Sequence, residues 1–502
     1  MTQRQALWPV LLLALLYTAF FYQTPLGLNL FLFELLVLGY AFVHHRPLFL
    51  LKAVRRLAIA LFISAVFTVI THSAFSITMN FLLFIIVLGQ MQAPKIRSVL
   101  TALLMGVPHF FKSQMAFLAN LLRSKSGKTN RFRWLWQLRL FLIPLFVILF
   151  FLILYGNANP IYGQWVEDTI DGLARLLDQW LGGINLSLFW TFVLGLLLAN
   201  FSLLRSHTQW VMEFEEGVDD VVVRKRERSS ARFALLGLKN ELLAAVFLFA
   251  VLNLMLMALL AVEIHSVWLH FAWSGSTLKS FVHEGTYLLI LSILISIGLV
   301  LFYFRGNLNF YSKNIWLKRL SYLWLLQNAV LTIAVVIRNL WYVKFFALAH
   351  LRIGLFMFLL LTLVGLALAF LKVHQQKSLF YLLRTHSLIS LFFLSLCSFV
   401  DWDRYIARYN WKHAGQSYFH FDYLAHLAPS SISELWGDEE QLREIQLWQS
   451  VQYPDEHNAL TPETFQLKLQ ERAEAFCTDW ENRPWLAWNA RDYWTYQRLK
   501  QP

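Results

Sequence analysis

Long apolar stretches dominate the sequence and restrict its fold more than any other feature. Hydrophobic residues make up 58% of the 502 residues and charged residues only 15%, against roughly 25% charged residues in soluble proteins. A soluble core cannot bury that much apolar surface, so most of it must face lipid. A spanning helix needs ~20 mostly apolar residues. Eleven stretches are predicted to span the membrane, at 6–22, 25–43, 57–73, 76–92, 140–157, 188–204, 241–263, 285–304, 320–337, 353–371 and 386–401.

Positive charge is distributed unevenly among the segments that join these stretches. Of the 43 Lys and Arg residues, 28 lie in the segments on one side of the membrane if the spans alternate strictly, and five lie on the other side. Because cytoplasmic loops are enriched in Lys and Arg, the first side is predicted to be cytoplasmic. The N-terminus is then cytoplasmic, and an odd number of spans places the C-terminus outside the cytoplasm.

The C-terminal residues 402–502 are predicted to form a small extracytoplasmic helical domain that follows a helical bundle at 1–401. From residue 401 on, the chain carries 10 basic and 16 acidic residues, whereas the rest carries 33 and 14. Thr461-Pro462-Glu463 has the pattern of a helix start, with a capping hydroxyl and a proline in the first turn. The domain also holds eight of the 20 tryptophans. These rings either rest against the membrane surface, which tryptophan favours, or form the core of the domain; they include Trp485, Trp488 and Trp494.

Two further segments have apolar residues at helical spacing but carry too many polar residues for a span. The first, near 96–122, contains Pro108 and Lys112 and is predicted to lie as an amphipathic helix in the cytoplasmic interface. The second, near 164–182, carries acidic residues beside its apolar stripe and is predicted to pack across the outer end of the bundle. Neither helix is taken as a sign of function.

Glu34 is the first candidate for a functional residue inside the predicted bundle. It lies in the apolar run 26–40, where a carboxyl group is expensive and must be protonated, paired or exposed to water. Gly27, seven residues earlier on the same face, would let a neighbouring helix approach closely. The interpretations are a proton or cation relay, a polar binding site, or one interhelical hydrogen bond that fixes packing. Four other polar residues at mid-depth are possible partners, namely Asn80, Asn253, Gln327 and Asn328.

A second group of candidates lies at the predicted outer ends of two spans. Carboxylate and imidazole groups are zinc ligands, but two of the histidines are five residues apart and do not share a helical face. No HExxH pattern is present. Metal binding is therefore the less favoured interpretation, no cofactor is predicted, and His283 and Glu284 are retained as candidate binding residues. The whole group comprises Glu263, His265, His270, His283 and Glu284.

Asp401, Asp403 and Arg404 form a third group, at the point where the last span ends. With Arg408 they could pair as a clamp between the bundle and the C-terminal domain. Paired carboxylates also carry out acid–base chemistry, but adjacent arginines would hold both of them ionised. The structural interpretation is therefore favoured for this group.

The short motifs of several enzyme classes are absent from the sequence. It contains no GxxxxGK[ST] phosphate loop, no GxGxxG after a strand, no GxSxG elbow and no CxxC. An ATPase, a dehydrogenase and a serine hydrolase are each poorly supported. The net charge of +13 does not predict nucleic-acid binding, because no basic stripe or module of stacking aromatics accompanies it.

Several short motifs in the second half of the chain are similar to those of a known family. They are His283-Glu284-Gly285, Leu351-Arg352-Ile353-Gly354, the run 401–410, Phe421-Asp422-Tyr423-Leu424 and Trp485-Leu486-Ala487-Trp488-Asn489. In this order they resemble an uncharacterised bacterial membrane family, described as a domain of unknown function of the 4153/4173 type. The resemblance runs from about the fifth span to the C-terminus and leaves Glu34 outside. It implies a multi-pass inner-membrane protein but supplies no substrate, cofactor or catalytic residue.

The sequence therefore predicts an all-α, polytopic protein of the bacterial inner membrane, surrounded by lipid, that is non-enzymatic and transports or senses something through its bundle. One alternative is a structural or regulatory scaffold whose C-terminal domain binds an envelope protein. Another is a membrane-embedded enzyme, in its metal form using the cluster from Glu263 to Glu284. The sequence does not indicate an oligomeric state.

Overall fold

The computed structural model describes residues 7–122, 144, 148, 151–152, 154–156, 159–180, 185–205, 209–224, 231–269 and 275–500. Within these ranges the regular structure is helical, apart from one isolated antiparallel bridge between Val221 and Lys377. The predicted all-α class is confirmed.

The helices before residue 401 coincide with most of the predicted spans. Eight helices in the described part of the chain are long and apolar enough to cross a membrane, namely α3, α4, α7 and α9–α13, while α1 and α2 are apolar but shorter. These ten helices account for ten of the eleven predicted spans, and the remaining one, 140–157, lies mostly outside the described residues. Their bounds, with those of three helices that are not counted as spans, are α1 Leu7–Phe21, α2 Leu28–His44, α3 Lys52–Thr71, α4 Ala74–Gln92, α5 Val99–Leu122, α6 Pro160–Trp180, α7 Leu186–Leu203, α8 Gln209–Glu216, α9 Ala231–Glu263, α10 Gly275–Tyr303, α11 Ile315–Phe346, α12 His350–His374 and α13 Leu379–Cys397.

Buried apolar side chains divide the bundle into two cores. The first core joins α1–α5 and α7, and the second joins α9–α12. Helix α13 contributes Leu391 to the first core and Leu382 to the second. This helix therefore lies between the two halves of the bundle.

The C-terminal domain is built from short helices around a core that also includes Val343, Leu348 and Ile353, where α11 ends and α12 starts. Its longer helices are α14 Trp402–Lys412, α15 Glu439–Gln452, α16 Pro462–Glu481 and α17 Ala490–Leu499. The predicted start of α16 is confirmed, because Thr461 and Thr464 cap it reciprocally: each hydroxyl accepts a hydrogen bond from the other residue's backbone N–H. Single turns at Phe421–Leu424, Pro429–Ser431, Ile432–Leu435 and Trp485–Ala487 connect the longer helices.

Three tryptophans of this domain are not part of its core. The exposed fractions are 69% for Trp485, 40% for Trp488 and 49% for Trp494. The interpretation of these rings as core residues is therefore wrong, and their contact with the membrane surface stays a prediction.

The position of helix α5 differs from the interfacial position that the sequence predicted for 96–122. It runs antiparallel alongside α4, so closely that a side chain on Gly89 would meet the backbone of Ala102 and one on Gly106 would meet Ile85. An interfacial helix would cross the end of α4 rather than follow it. The prediction for this segment is corrected accordingly.

The polar residues of α5 explain why the sequence was misleading. His109 Nε2 lies 2.8 Å from the carbonyl oxygen of Phe201, and Gln114 Nε2 donates to the carbonyl of Leu197 at 3.0 Å. Both side chains are buried against α7 rather than exposed to water. The polar face that favoured an interfacial position is thus satisfied inside the bundle.

The acidic segment near 164–182 forms α6, as its spacing predicted. Ile170, on the predicted apolar stripe, is exposed, while the side chains of Leu173, Leu177 and Trp180 lie outside the described residues. The packing of α6 on the bundle stays a prediction.

Segments that the sequence assigns to one side of the membrane lie together at one end of the bundle. Tyr22 accepts a hydrogen bond from Asn185 at 2.5 Å, and Thr71 donates to the carbonyl of Ser398 at 3.5 Å. The C-terminal domain is attached to this same end, which we call the domain end. Which end faces the cytoplasm stays a prediction from the charge distribution.

At the opposite end, Asp220 joins three segments. Its carboxylate lies 3.8 Å from Arg97, which precedes α5, and 2.9 Å from Arg384 in α13. Its carbonyl accepts a hydrogen bond from the backbone of Ser378 at 2.9 Å. Polar contacts therefore fasten the bundle at this end as well.

Candidate functional site

Glu34 and Asn80 meet inside the first half of the bundle. Asn80 Nδ2 donates a hydrogen bond of 2.6 Å to Glu34 Oε1, and the exposed fractions of the two residues are 2% and 0%. Of the four partners that the sequence allowed, the structure therefore brings Asn80 to Glu34. The other three lie in helices of the second core: Asn253, Gln327 and Asn328.

The depth of this pair follows from the helices that carry it. Glu34 is six residues beyond the start of α2, and Asn80 is six residues beyond the start of α4. Both helices start at the domain end. At 1.5 Å per residue, the pair lies about 9 Å along each helix from that end.

The hydrogen bond leaves two polar atoms of the pair without a partner among the described residues. They are Glu34 Oε2 and Asn80 Oδ1, and both are buried. Buried polar atoms in folded proteins are nearly always hydrogen-bonded. The unpartnered carboxyl oxygen therefore marks a place where a proton, a small cation or a water molecule can bind.

Buried hydroxyl groups lead from the domain end toward the pair. Ser73, Ser76 and Asn80 follow one another on one face of α4, and Ser73 and Ser76 form a reciprocal cap at its start. Across from them on α3, Thr68 Oγ1 donates to the carbonyl of Ser64 at 2.8 Å and lies 3.3 Å from the carbonyl oxygen of Ser76. We call these residues, with Glu34, the polar column.

The polar column does not continue on α4 beyond Asn80. The next buried residues on that helix are all apolar, namely Leu83, Phe84, Ile86 and Val87. On α2, Val37 lies one turn beyond Glu34 and is also buried. The column therefore ends at Glu34 against an apolar layer.

The upper end of the column adjoins the C-terminal domain through His72. This residue ends α3 in a left-handed conformation with φ of 40°. Burial lowers the pKa of His72 to about 4, although the nearby carboxylate of Asp492 opposes that shift. The imidazole is therefore neutral at physiological pH and faces a charged cluster of the domain.

That cluster is centred on Asp492, which is only 4% exposed. Arg483 Nη1 lies 2.6 Å from Asp492 Oδ2, and Arg491 Nε lies 3.3 Å from Asp492 Oδ1. Burial alone would raise the pKa of Asp492, but Arg491, Asn489 and Arg483 together hold it below its usual value. The carboxylate is thus ionised and firmly paired.

A backbone contact fixes the domain to α2 directly. The N–H of Leu28 donates to the carbonyl of Trp488 at 2.9 Å. A side chain on Gly27 would meet the backbone of Ala487, so this approach requires glycine. The glycine that the sequence placed near a neighbouring helix is instead the contact with the C-terminal domain.

The third predicted group contacts the bundle through Asp403, whose Oδ1 lies 3.6 Å from Nε2 of His350 at the start of α12. The acids and arginines of the group do not pair with one another as expected. Asp401 caps α14 by accepting a hydrogen bond from the backbone of Arg404, and Asp403 accepts one from the backbone of Ala428 at 3.1 Å. Arg404 and Arg408 both pair with Glu434, at 2.7 and 3.0 Å. The predicted pairing is therefore wrong in its partners.

The second predicted group is only partly described. Glu263 is buried and paired with Arg338 of α11, whose Nε donates to Glu263 Oε2 at 3.0 Å. His265 is exposed, while His270 and the side chains of His283 and Glu284 lie outside the described residues. In the part of the chain that the structure covers, no three His, Cys, Asp or Glu residues form a group suited to a metal ion.

Arg338 and Glu434 are the partners that the sequence analysis missed. The predicted span ended at residue 337, whereas α11 continues to Phe346, so Arg338 was assigned to a loop. A charged residue next to a long apolar run was the available signal, because such residues are usually paired. Nothing local in the sequence distinguishes Glu434 from the other acids of the domain.

These features define the class of the molecule as a multi-span helical membrane protein with a helical domain attached at one end. A family model described as a domain of unknown function (DUF4153) matches residues 10–436. The chain therefore belongs to this family. No curated protein and no solved structure matches the chain significantly.

The family match confirms the resemblance but differs from it in extent. It begins at residue 10, so the first four spans and Glu34 lie inside the matched region. It ends at residue 436, so the motif at 485–489 lies beyond it. The first four spans consist mostly of interchangeable apolar residues, so the short motifs typical of the family lie mainly in the second half of the chain.

Proposed function

We propose that this protein is a non-enzymatic component of the bacterial inner membrane that senses a proton or a small cation through Glu34. The observation that supports this proposal is the unpartnered carboxyl oxygen of Glu34 at the inner end of the polar column. A carboxyl group inside a membrane bundle is expensive and usually functional.

Sensing is favoured over passage through the bundle because of the apolar layer below the pair. Leu83 and Val87, one turn apart on α4, are buried, and so is Val37, one turn beyond Glu34 on α2. An ion that reached Glu34 along the column would next meet these buried apolar side chains. A site with one polar approach suits a sensor better than a transport pathway.

The C-terminal domain is the proposed element that responds. The column begins beside His72, whose imidazole interacts with Asp492 of the domain. Thr71 also donates to Ser398, just before the domain begins. A change in the charge or position of Glu34 would therefore reach the domain through the first turn of α4 and the end of α3. With the predicted orientation, the sensed ion comes from outside the cytoplasm.

Hydrogen–deuterium exchange of the full-length protein in lipid nanodiscs tests this coupling. We expect exchange at 71–76 and 485–495, corrected for its intrinsic pH dependence, to differ between pH 5 and pH 8 as long as Glu34 is present. Glu34→Gln should abolish the difference, because glutamine cannot bind or release the proton. The comparison is made in a His72→Gln background, because the opened state of His72 titrates near 6.5 although its folded-state pKa is about 4, and local opening would otherwise add a pH dependence of its own.

Glu440→Gln is the matched control. Glu440 is an exposed acid of the C-terminal domain, and its substitution changes the charge of the protein by the same amount. It should leave the pH-dependent difference intact. An identical difference with and without Glu34→Gln would contradict the proposal. Wild-type behaviour of Glu34→Gln in a deletion-rescue assay would count against it in cells.

A scaffold is the second candidate function, and one observation favours it. The domain contacts the first half of the bundle at Leu28 and the second half at Leu348, whose backbone exchanges two hydrogen bonds with the Asn410 side chain at 2.8 and 2.9 Å. A domain held on both halves is suited to present a fixed surface to an envelope protein. This candidate predicts that Asn410→Ala impairs rescue while Glu34→Gln does not.

The enzymatic alternative has less support. The carboxylate that would anchor its metal site, Glu263, is paired with Arg338. An arginine partner competes directly with a metal ion for the same oxygens. Metal analysis of the purified protein would test this alternative, and stoichiometric zinc or iron would revive it.

A further inference from the structure

A small cavity lies where the C-terminal domain meets the ends of α3 and α13. Its volume is about 170 Å³, and its walls include Thr71 at the end of α3 and Phe399 after α13. A water molecule occupies ~30 Å³ in the liquid, so the cavity has room for several waters or for one tetrahedral anion.

The charged residues of the cavity wall are mostly arginines. Arg404, Arg491 and Arg498 line it, against one acid, Asp401. The Asp401 carboxylate already accepts the capping hydrogen bond of α14. Arg404 is paired with Glu434 and Arg491 with Asp492. Two of the three arginines are therefore engaged by acids outside the wall, and Arg498 is the third.

Arg498 differs from the other two arginines. No acid within the described ranges forms an ion pair with it, and it is half-buried. Burial and the neighbouring positive charges of Arg404 and Arg408 lower the pKa of its guanidinium, and the carboxylates of Glu434 and Asp401 oppose this only in part. Arginine does not lose its proton in proteins, so this cation faces the cavity without a counter-charge of its own.

A second polar group in the wall is also without a partner. Ser430 lines the cavity, is 2% exposed, and its hydroxyl has no hydrogen-bond partner among the described residues. A hydroxyl group can donate to an anion as readily as it accepts from water. The cavity thus offers a cation and a buried donor that the rest of the described chain leaves unused.

The position of the cavity suggests where its ligand comes from. Two apolar helices, α3 and α13, end at its wall, so it lies at the depth where a bilayer changes from hydrocarbon to headgroups. Trp494, also in the wall, is half exposed, and tryptophan is enriched at that depth.

We propose that this cavity binds a phosphate group, supplied either by a phospholipid headgroup or by inorganic phosphate, with Arg498 and Ser430 as its principal contacts. Guanidinium groups bind phosphate oxygens through charge-assisted, often bidentate hydrogen bonds. This site is separate from Glu34, and its assignment does not depend on the sensing proposal.

Chemical modification of the wild-type protein tests the proposal without a substitution. The full chain, purified in detergent free of phospholipid, is treated with phenylglyoxal, and modification of each arginine is followed by peptide mass spectrometry. The probes are inorganic phosphate, phosphatidylglycerol and dioleoylglycerol, which lacks phosphate. At ten times the Kd, a bound phosphate group should slow modification of Arg498 about tenfold. Arg443, an exposed arginine of the same domain, should be unaffected.

The three probes distinguish the two sources of phosphate. Protection by phosphatidylglycerol alone supports a lipid headgroup, and protection by inorganic phosphate at similar concentrations supports the soluble anion. Equal protection by dioleoylglycerol, protection of Arg443 to the same degree, or no protection of Arg498 by any probe would overturn the proposal.

Binding measurements on two matched variants provide the second test. Arg498→Gln should weaken binding of the protecting probe by about tenfold or more, because a charged hydrogen-bonding partner is lost. Arg443→Gln removes the same charge at a site away from the cavity and should bind as the wild type does. Equal affinities of the two variants would refute the role of Arg498. If Arg498→Gln does not fold, the protection experiment on the wild-type protein still decides.

Discussion

The buried pair of Glu263 and Arg338 shows how this protein accommodates charge at the end of its membrane helices. Each side chain is only 6% exposed. The planar guanidinium donates to both carboxylate oxygens, a geometry that arginine provides and lysine does not. Removing either residue alone takes a charged partner away from the other in a poorly hydrated place.

Replacing one member of this pair should therefore lower the free energy of unfolding more than replacing both. We expect Glu263→Gln to lower the free energy of unfolding by about 3–5 kcal/mol, because the buried guanidinium of Arg338 loses the carboxylate that accepts two of its hydrogen bonds. The double variant Glu263→Gln/Arg338→Met should recover much of that loss. Thermal unfolding in detergent measures both, and additive effects of the two single substitutions would show that the pair does not interact.

Acidification should weaken the attachment of the C-terminal domain. The pKa of His72 is lowered from 6.5 to about 4 by burial, so the unfolded state binds its proton first as the pH falls. Stability that is complete above pH 6.5 is then lost between pH 6.5 and pH 4, by at most about 3 kcal/mol. We expect the Tm of the wild-type protein to fall over this range.

His72→Gln should flatten the pH dependence between pH 6.5 and pH 4, because glutamine does not titrate. Below about pH 4 a further loss should remain in both proteins. Burial alone would raise the pKa of Glu434, but hydrogen bonds from Arg408 and Arg404 lower it, so its stabilising effect disappears only at lower pH. Identical Tm profiles in the two proteins would mean that His72 is not responsible.

At the scale of elements, the packing of α4 against α5 depends on glycine. Gly89 faces the backbone of Ala102 with no room for a side chain, whereas Gly39 on α2 has no atom near enough to obstruct one. Small residues allow such close helix contacts inside membranes. The two glycines therefore form a matched pair for substitution.

We expect Gly89→Val to destabilise the protein by about 1–3 kcal/mol or more, because α5 must move away from α4. Gly39→Val, the same change on another apolar helix, should have a much smaller effect. Thermal unfolding measures the difference. Equal effects would place the cost in helix propensity rather than in the contact.

The helices themselves were largely predictable, because apolar length and helical spacing are local properties of the sequence. The position of α5 was not, because a polar face can meet water or the carbonyls of another helix, and the sequence does not say which. The same ambiguity left Glu34 with four possible partners. Only the tertiary structure, which brings Asn80 of α4 within hydrogen-bond distance of Glu34, selects it among them.

At the scale of the whole molecule, contacts at Tyr22 and Thr71 group predicted outer segments at one end. The alternation of spans did not include α5, which runs back toward that end beside α4. The prediction of which end of the bundle faces the cytoplasm rests on the distribution of Lys and Arg. Because this distribution is summed over the entire chain, the sequence predicts an orientation more readily than it predicts any single contact.

Cysteine labelling in spheroplasts tests that direction. In a background with Cys397 and Cys477 replaced by serine, Glu440→Cys should react with a membrane-impermeant maleimide in intact spheroplasts. Val223→Cys, an exposed position at the other end, should react only after permeabilisation. The reverse pattern would show that the C-terminal domain is cytoplasmic.

The attachment of one domain to both halves of the bundle limits how this protein can move. Transporters that work by alternating access rock two halves against each other about a central site. Here such rocking would break the contacts at Leu28 and Leu348 on one end and those of Asp220 on the other. Any conformational cycle must therefore either release the domain or stay confined to a few helices around Glu34.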